Sequence, residues 1–145
     1  PSSRQMVEKI NSSIKGRDFW MPFAPSILNE RIDECIKNNK KCDFSYMTFT
    51  SDSLIKRQKD FTATLHPSDQ TMRIQSVKKD MSPSFHRLLS FFYKKSGLPG
   101  VLNTSLNIHG KPIVKKPIDI VNELLKVPEI SINNIIIDRY FFKLK

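Results

Sequence analysis

The 145 residues carry 24 Lys and Arg against 14 Asp and Glu, a formal net charge of +10, with 39% hydrophobic and 10% aromatic content. That balance excludes a disordered chain. No apolar run approaches the roughly 18 residues that span a bilayer, and no signal-peptide pattern opens the sequence. One domain over 1–145 is expected, able to bury roughly two-thirds of its unfolded surface. The charge favours anionic partners, whether nucleotides, phosphates, nucleic acid or anionic membrane. Cys35 and Cys42 are the only thiols. They read as reduced and structural, which points to the cytoplasm. The first residue is Pro1, not Met, and a helix pattern follows at once, so a piece of a longer protein is expected.

Met6, Val7, Ile10 and Ile14 follow helical spacing, predicting a first helix over about residues 3–14 that Lys15 and Gly16 end. Ser26 is read as the cap of a second helix, with Ile27, Leu28, Ile32, Cys35 and Ile36 on one face. Residues 43–50 alternate apolar and polar, predicting a strand marked by Phe44, Tyr46 and Phe49. An exposed connection is expected from Ser51 to about Thr62. A second strand follows, with Met72, Ile74 and Ser76 alternating against Arg73, Gln75 and Val77. The clearest helix is 83–95, with Ser82 as cap, Pro83 first, and Phe85, Leu88, Leu89 and Phe92 as its buried stripe. Lys94 and Lys95 suit its C-terminal end, and Gly97 and Pro99 stop it. The apolar run from Leu98 reads as a strand. Pro117 opens a further helix carrying Ile118, Val121, Leu124 and Leu125, ended by Pro128. Ile135–Ile137 reads as a short buried strand, with Tyr140–Phe142 paired or packed at its edge. Helices alternating with strands give α/β, or α+β, as a mixed sheet with helices on its faces.

Three segments concentrate the chemistry. The first is Asn103-Thr-Ser-Leu-Asn107 with Gly110-Lys-Pro-Ile-Val114, short hydrogen-bonding side chains just past a strand. Open α/β sheets hold ligands at such places, although a solvated turn would look the same. The second is Lys15-Gly-Arg17 followed by Pro22-Phe-Ala-Pro-Ser26. Its rigid connection either aims two cations at a phosphate or forms a hydrophobic plug with incidental charge. The third runs from His66 through Asp69 to Thr71-Met-Arg73-Ile-Gln75. An arginine in a half-buried strand needs an anionic partner, a phosphate or an internal carboxylate such as Asp69. His66, His86 and His109 lack metal-ligand spacing, and no metal is expected here.

In this order the three segments resemble the C-terminal domain of the NodU and antibiotic-type O-carbamoyltransferases, over essentially the whole chain. The resemblance implies a YrdC-like α/β domain that binds carbamoyl phosphate and ATP and makes carbamoyl adenylate. It also implies a preceding actin-like, iron-containing domain, the partner that passes the carbamoyl group to an acceptor hydroxyl. That domain is not in this sequence, nor is the Gly-Pro-Arg-Ala-Leu-Gly motif that the family carries just upstream. The family pattern places Arg73, Asn103 and Ser105 at the carbamoyl phosphate and ATP site, with Lys15 in the same basic pocket. Arg17 belongs to the same motif, and His66, Gln75 and Asn107 stand around it. No covalent nucleophile is required, because adenylation depends on positioning and charge stabilisation.

The sequence departs from the family at three places. Met21 stands where an arginine usually precedes Pro-Phe-Ala-Pro, Gln70 replaces a glycine and Leu106 a phenylalanine. Losing one charge-assisted phosphate contact costs about 1.5–3 kcal/mol, roughly ten- to a hundredfold in affinity. Either Arg17 compensates, or this member binds carbamoyl phosphate weakly or takes another ligand. The rival reading is a non-catalytic basic module that binds RNA through its surface, motivated by the +10 charge. It lacks a recognisable RNA-binding motif.

Overall fold

The computed structural model describes residues 1–16, 18, 21–38, 41–124 and 133–143. The chain gathers into two compact units. The first comprises Pro1–Arg4 with Phe19–Thr104, the second Gln5–Asp18 with Ser105–Lys145. Helices and mixed sheets make the protein α/β, as the alternation of elements predicts. Among the described residues no helix is long and apolar enough to cross a membrane.

The first unit is organised by β1 (Ala24–Leu28), the middle strand of three. It runs parallel to β4 (Gln75–Val77), with Ser26 opposite Gln75. On its other edge it is antiparallel to β5 (Gly100–Asn103), with Ala24 opposite Asn103. Every residue of β1 is buried, so the helix expected from Ser26 is replaced by a strand. The competing signal is burial on both faces. Ile27 joins a core of Ile32, Cys35, Ile36, Phe44, Phe61, Leu65, Met72 and Ile74. Leu28 joins Val77 and Leu89 on the opposite side. Such a strand shows no alternation and imitates a buried helix in sequence. Only Asn29–Glu34 winds, as a 3-10 helix that buries Ile32. Pro25 lies one residue before the pairing with β4 begins, where its missing N–H costs that ladder nothing.

The segment 71–76 alternates as predicted, with Met72, Ile74 and Ser76 buried, but Val77, expected on the opposite face, is buried as well in the core with Leu28 and Leu89. It serves two sheets. β3 (Thr71–Arg73) pairs antiparallel with β2 (Thr50–Asp52), and β4 then turns to β1. The strand expected over 43–50 is mostly a turn. Asp43 Oδ1 accepts the Ser45 amide at 3.0 Å and its hydroxyl at 2.6 Å, a local bond that outcompetes a ladder. Phe44 stays buried while Tyr46 is 70% exposed. The expected connection 51–62 contains β2 and a 3-10 helix, Ile55–Phe61, anchored by buried Phe61.

α1 (Arg4–Ile10) and α2 (Pro83–Ser96) both follow the predicted periodicity. α2 starts with proline and stops at Gly97, whose φ of 72° needs no Cβ. Leu89 is fully buried and Phe85 and Tyr93 pack beside it, but Leu88 is 57% exposed and leaves the expected stripe. Cys35 is buried and free, and burial pushes its thiol up to about 12, so it is an inert core residue.

In the second unit α1 widens into a π turn, Asn11–Lys15, closed by the Gly16 amide donating to the Asn11 carbonyl at 2.7 Å. The Ser12 and Ser13 hydroxyls both donate to the Lys9 carbonyl, a competition that loosens helical turns. A short α3 (Pro117–Asp119) begins at proline, its Asp119 Oδ2 accepting the amides of Lys115 and Lys116. The winding continues through Ile120–Leu124. Ile120 is buried, whereas Ile118 and Val121 of the expected stripe are exposed. Leu125 and Pro128 lie outside the described residues. β6 (Asn134–Ile137) and β7 (Tyr140–Lys143) pair as an antiparallel hairpin, but β6 is not the buried strand expected: Ile136 is exposed and Ile135 and Ile137 are only half-buried. Ile118, Ile120, Val121, Ile135, Ile137 and Phe142 line an apolar cavity of about 300 Å³.

Gly100 lies against β1 so closely that a Cβ would overlap the Ser26 carbonyl oxygen. Gly100→Ala is expected to lower stability by about 1–3 kcal/mol, read as a drop in the urea midpoint. The Asp43 carboxyl is held down to about 2 by the Ser45 hydroxyl, then by Lys78 and the Ser45 amide. A depressed folded-state value stabilises above 3.8 and loses its effect as pH falls towards about 2. Over that window the urea midpoint should fall further in the natural protein than in Asp43→Asn.

Candidate functional site

Polar residues of the sequence motifs gather into one cluster in each unit. In the first unit, β1, β4 and β5 carry Ser26, Gln75 and Asn103 at adjacent positions. Their side chains are joined at one atom: Gln75 Oε1 accepts the Ser26 hydroxyl at 2.6 Å and Asn103 Nδ2 at 3.0 Å. Met47 Sδ is a second, weaker acceptor for Asn103 Nδ2, at 3.7 Å. Next along the chain, the Thr104 hydroxyl is buried with no hydrogen-bond partner among the described residues. Burying a hydroxyl unpaired is costly, and such groups mark sites where a ligand atom fits.

Arg73 ends β3, two residues before Gln75, with its side chain exposed. Among the described residues it makes no ion pair. The internal carboxylate weighed for it, Asp69, is engaged elsewhere. Asp69 Oδ1 accepts the Thr71 amide at 3.0 Å and lies 3.3 Å from His66 Nδ1. That amide bond is the chief cause of the lowered Asp69 carboxyl pKa. His66 thus belongs to the turn that precedes β3: its amide donates to the Thr71 carbonyl, and its carbonyl accepts the Gln70 amide. Gln70 closes this turn at φ 59°, the left-handed region that explains a glycine at this place. Its side-chain amide offsets part of the strain by donating to the carbonyls of His66 and Pro67.

In the second unit the π turn delivers Lys15 to the loop after β5. The side chain is only 2% exposed. Its ammonium donates to the Ser105 carbonyl, to the Ser105 hydroxyl at 3.1 Å and to Asn107 Oδ1 at 2.6 Å. The Ser105 hydroxyl in turn donates to Asn107 Oδ1 at 2.6 Å, and Asn107 Nδ2 to the Lys111 carbonyl at 2.7 Å. Burying a cation is costly unless its donors are met, and here all three N–H groups have oxygen acceptors. The loop is pinned by the His109 amide on the Ile14 carbonyl and the Val114 amide on the Leu106 carbonyl.

Of the predicted residues, then, Asn103 and Gln75 meet in one unit, and Lys15, Ser105 and Asn107 meet in the other. Arg73 stands on the exposed side of its strand, His66 braces the preceding turn, and Arg17 lies outside the described residues. Ser26 and Met47 were missed as participants. Ser26 follows the proline of Pro-Phe-Ala-Pro-Ser, and the buried strand that carries it was read as a helix. Among the described residues no group of three or more His, Cys, Asp or Glu forms a metal set.

These motifs lie on an α/β frame, one polar cluster across β1, β4 and β5 and the other on the loop past β5. Residues 1–143 match the family described as carbamoyltransferase C-terminus, and the chain belongs to that family. It is 37% identical over 124 residues to an uncharacterised protein of Methanocaldococcus jannaschii, covering 86% of this chain and 23% of that protein. To the nodulation protein NolNO of Sinorhizobium fredii it is 28% identical over 137 residues, covering 94% and 20%. To the 3'-hydroxymethylcephem-O-carbamoyltransferase of Amycolatopsis lactamdurans it is 28% identical over 110 residues, covering 76% and 20%. The chain therefore spans about a quarter of the length of the curated relatives it matches.

Replacing Lys15 with methionine keeps the stem and removes the charge. It takes the ammonium donor from the Ser105 carbonyl and leaves Asn107 Oδ1 with the Ser105 hydroxyl alone, and should cost about 1–3 kcal/mol. The loss should appear as a lower thermal midpoint and faster amide exchange at 105–107. Lys15→Arg should not restore stability, because a planar fork does not fit three converging oxygens.

Proposed function

We propose that this chain is the carbamoyl phosphate and ATP-binding domain of an O-carbamoyltransferase, forming carbamoyl adenylate that the rest of a longer protein transfers to a hydroxyl acceptor. The observation that carries the reading is the bonding of buried Lys15 to Ser105 and Asn107, residues of two motifs 90 and 92 positions apart. Family membership and the printed name of the cephem O-carbamoyltransferase support the reaction class.

In this reading Arg73 contributes an exposed guanidinium with no internal carboxylate, suited to a phosphate. Lys15 donates its N–H groups to Ser105 and Asn107 and holds Ser105 in place. Asn103 addresses the carbamoyl end. Arg17 is assigned to the same anionic ligand as the counterpart of the arginine that Met21 replaces. Iron and the acceptor pocket belong to the actin-like partner domain, and a cytoplasmic setting suits the free thiols. Nothing in the geometry favours the RNA-binding alternative. Several basic side chains are already tied to internal carboxylates, as in Lys78 with Asp43 at 3.0 Å and Arg57 with Asp60 at 2.7 Å.

Calorimetric titration with carbamoyl phosphate and ATP, separately and together, tests the proposal. One-to-one binding that Arg73→Ala weakens by about ten- to a hundredfold is expected, the loss of one charge-assisted contact. Saturation unaffected by Arg73→Ala, or no binding of either ligand to the full-length protein, would refute it.

A further inference from the structure

The Asn103 side chain has two ends, and only one is free. Gln75 Oε1 sits between Ser26 Oγ and Asn103 Nδ2, at 2.6 and 3.0 Å. Two arrangements of such a chain are conceivable. If Gln75 presented its amide nitrogen instead, it would donate both ways, and Asn103 would turn its oxygen inward. Ser26 decides between them. Its side chain is 0% exposed, and among the described residues the only partner of its hydroxyl is Gln75. A buried hydroxyl must donate somewhere. Donation to Gln75 satisfies it, whereas the reversed arrangement leaves its proton without an acceptor. Gln75 is therefore held oxygen-inward, and that oxygen draws in Asn103 Nδ2. Met47 Sδ, also an acceptor, reinforces the same orientation.

The consequence is that Asn103 Oδ1 points away. Among the described residues it has no hydrogen-bond partner, and it is not shut off from solvent. We propose that Ser26 and Gln75 are positioning residues that lock Asn103 with its carbonyl oxygen outward, and that this oxygen selects a ligand whose end group donates hydrogen bonds. The proposal rests on the functional reading above and gives it chemical content. A carbamoyl group ends in an NH2 that donates; an acetyl group of the same size ends in a methyl that cannot. Opposite a fixed acceptor the first makes a bond and the second leaves the acceptor desolvated and unpaired. Phosphate charge is the same in both and contributes nothing to the choice.

The experiment compares carbamoyl phosphate with acetyl phosphate, and with inorganic phosphate as a reference, by calorimetry on the full-length protein. The natural protein should prefer carbamoyl over acetyl phosphate by about tenfold or more, the worth of one hydrogen bond with its unpaired alternative. Gln75→Leu removes the lock, so the preference should collapse towards one, with inorganic phosphate as the reference for any general change in affinity. Gln75→Glu keeps an inward acceptor and should retain the preference. Ser26→Ala leaves the strand backbone intact and frees Gln75 to turn over, so it too should lower the preference, which covers the case of a Gln75→Leu protein that does not fold. An undiminished preference in folded Gln75→Leu or Ser26→Ala overturns the proposal, as does a natural protein that binds the two phosphates equally. A natural protein that binds none of them overturns the functional reading itself.

Discussion

Pairing on both edges of Ala24–Leu28 is the constraint from which the first unit is built. One strand buried on both faces sets two registers at once: Ser26 beside Gln75 and Ala24 beside Asn103. The close approach at Gly100 makes the second register intolerant of even a methyl group. Because Ser26, Gln75 and Asn103 sit on three neighbouring strands, their hydrogen bonds are positioned by the sheet and need no flexible loop to find one another. Side chains placed by rigid elements hold geometry better than side chains placed by loops. The core contacts of Ile27 and Leu28 on opposite faces thus stabilise the polar cluster as much as they stabilise the fold.

The second unit solves a different problem, that of keeping a charge where water is scarce. Lys15 is reached through a π turn, an irregular winding that recurs at functional positions. The loop that receives it offers oxygens from a backbone carbonyl, a hydroxyl and an amide. Each is a dipole that meets an N–H of the ammonium. Short polar side chains in Asn-Thr-Ser-Leu-Asn are what make this possible: each is small enough to bend back towards the chain and polar enough to meet a donor.

How much of this could be read in advance depends on where local and distant forces agreed. The helix at 83–96 was legible because proline start, apolar spacing and glycine stop all pointed the same way. Met72, Ile74 and Ser76 were legible because alternation is the signature of a strand with one buried face. The helix expected from Ser26 gives way to a strand through Leu28 because full burial erases alternation, and apolar residues buried on both faces then fit helix and strand equally. Residues 43–50 were misread because the Asx turn at Asp43 and Ser45 uses residues that also alternate. Among the site residues, Lys15 with Ser105 and Asn107 was visible only through motif resemblance, since nothing in spacing alone brings positions 90 residues apart together. Ser26 was hidden by the wrong element, and Met47 by being a thioether in a turn.

The burial of Lys15 has a consequence for chemistry done on the protein from outside. A lysine reacts with acylating and alkylating reagents through its uncharged, accessible amine. This one is enclosed, and its three N–H groups are held by oxygens. Covalent labelling of surface amines would pass over it while modifying the exposed lysines along α2 and around the second unit. The same shielding keeps it out of reach of acetylating enzymes. The amine at this position is thus insulated by the fold from the modifications that tune charge on protein surfaces.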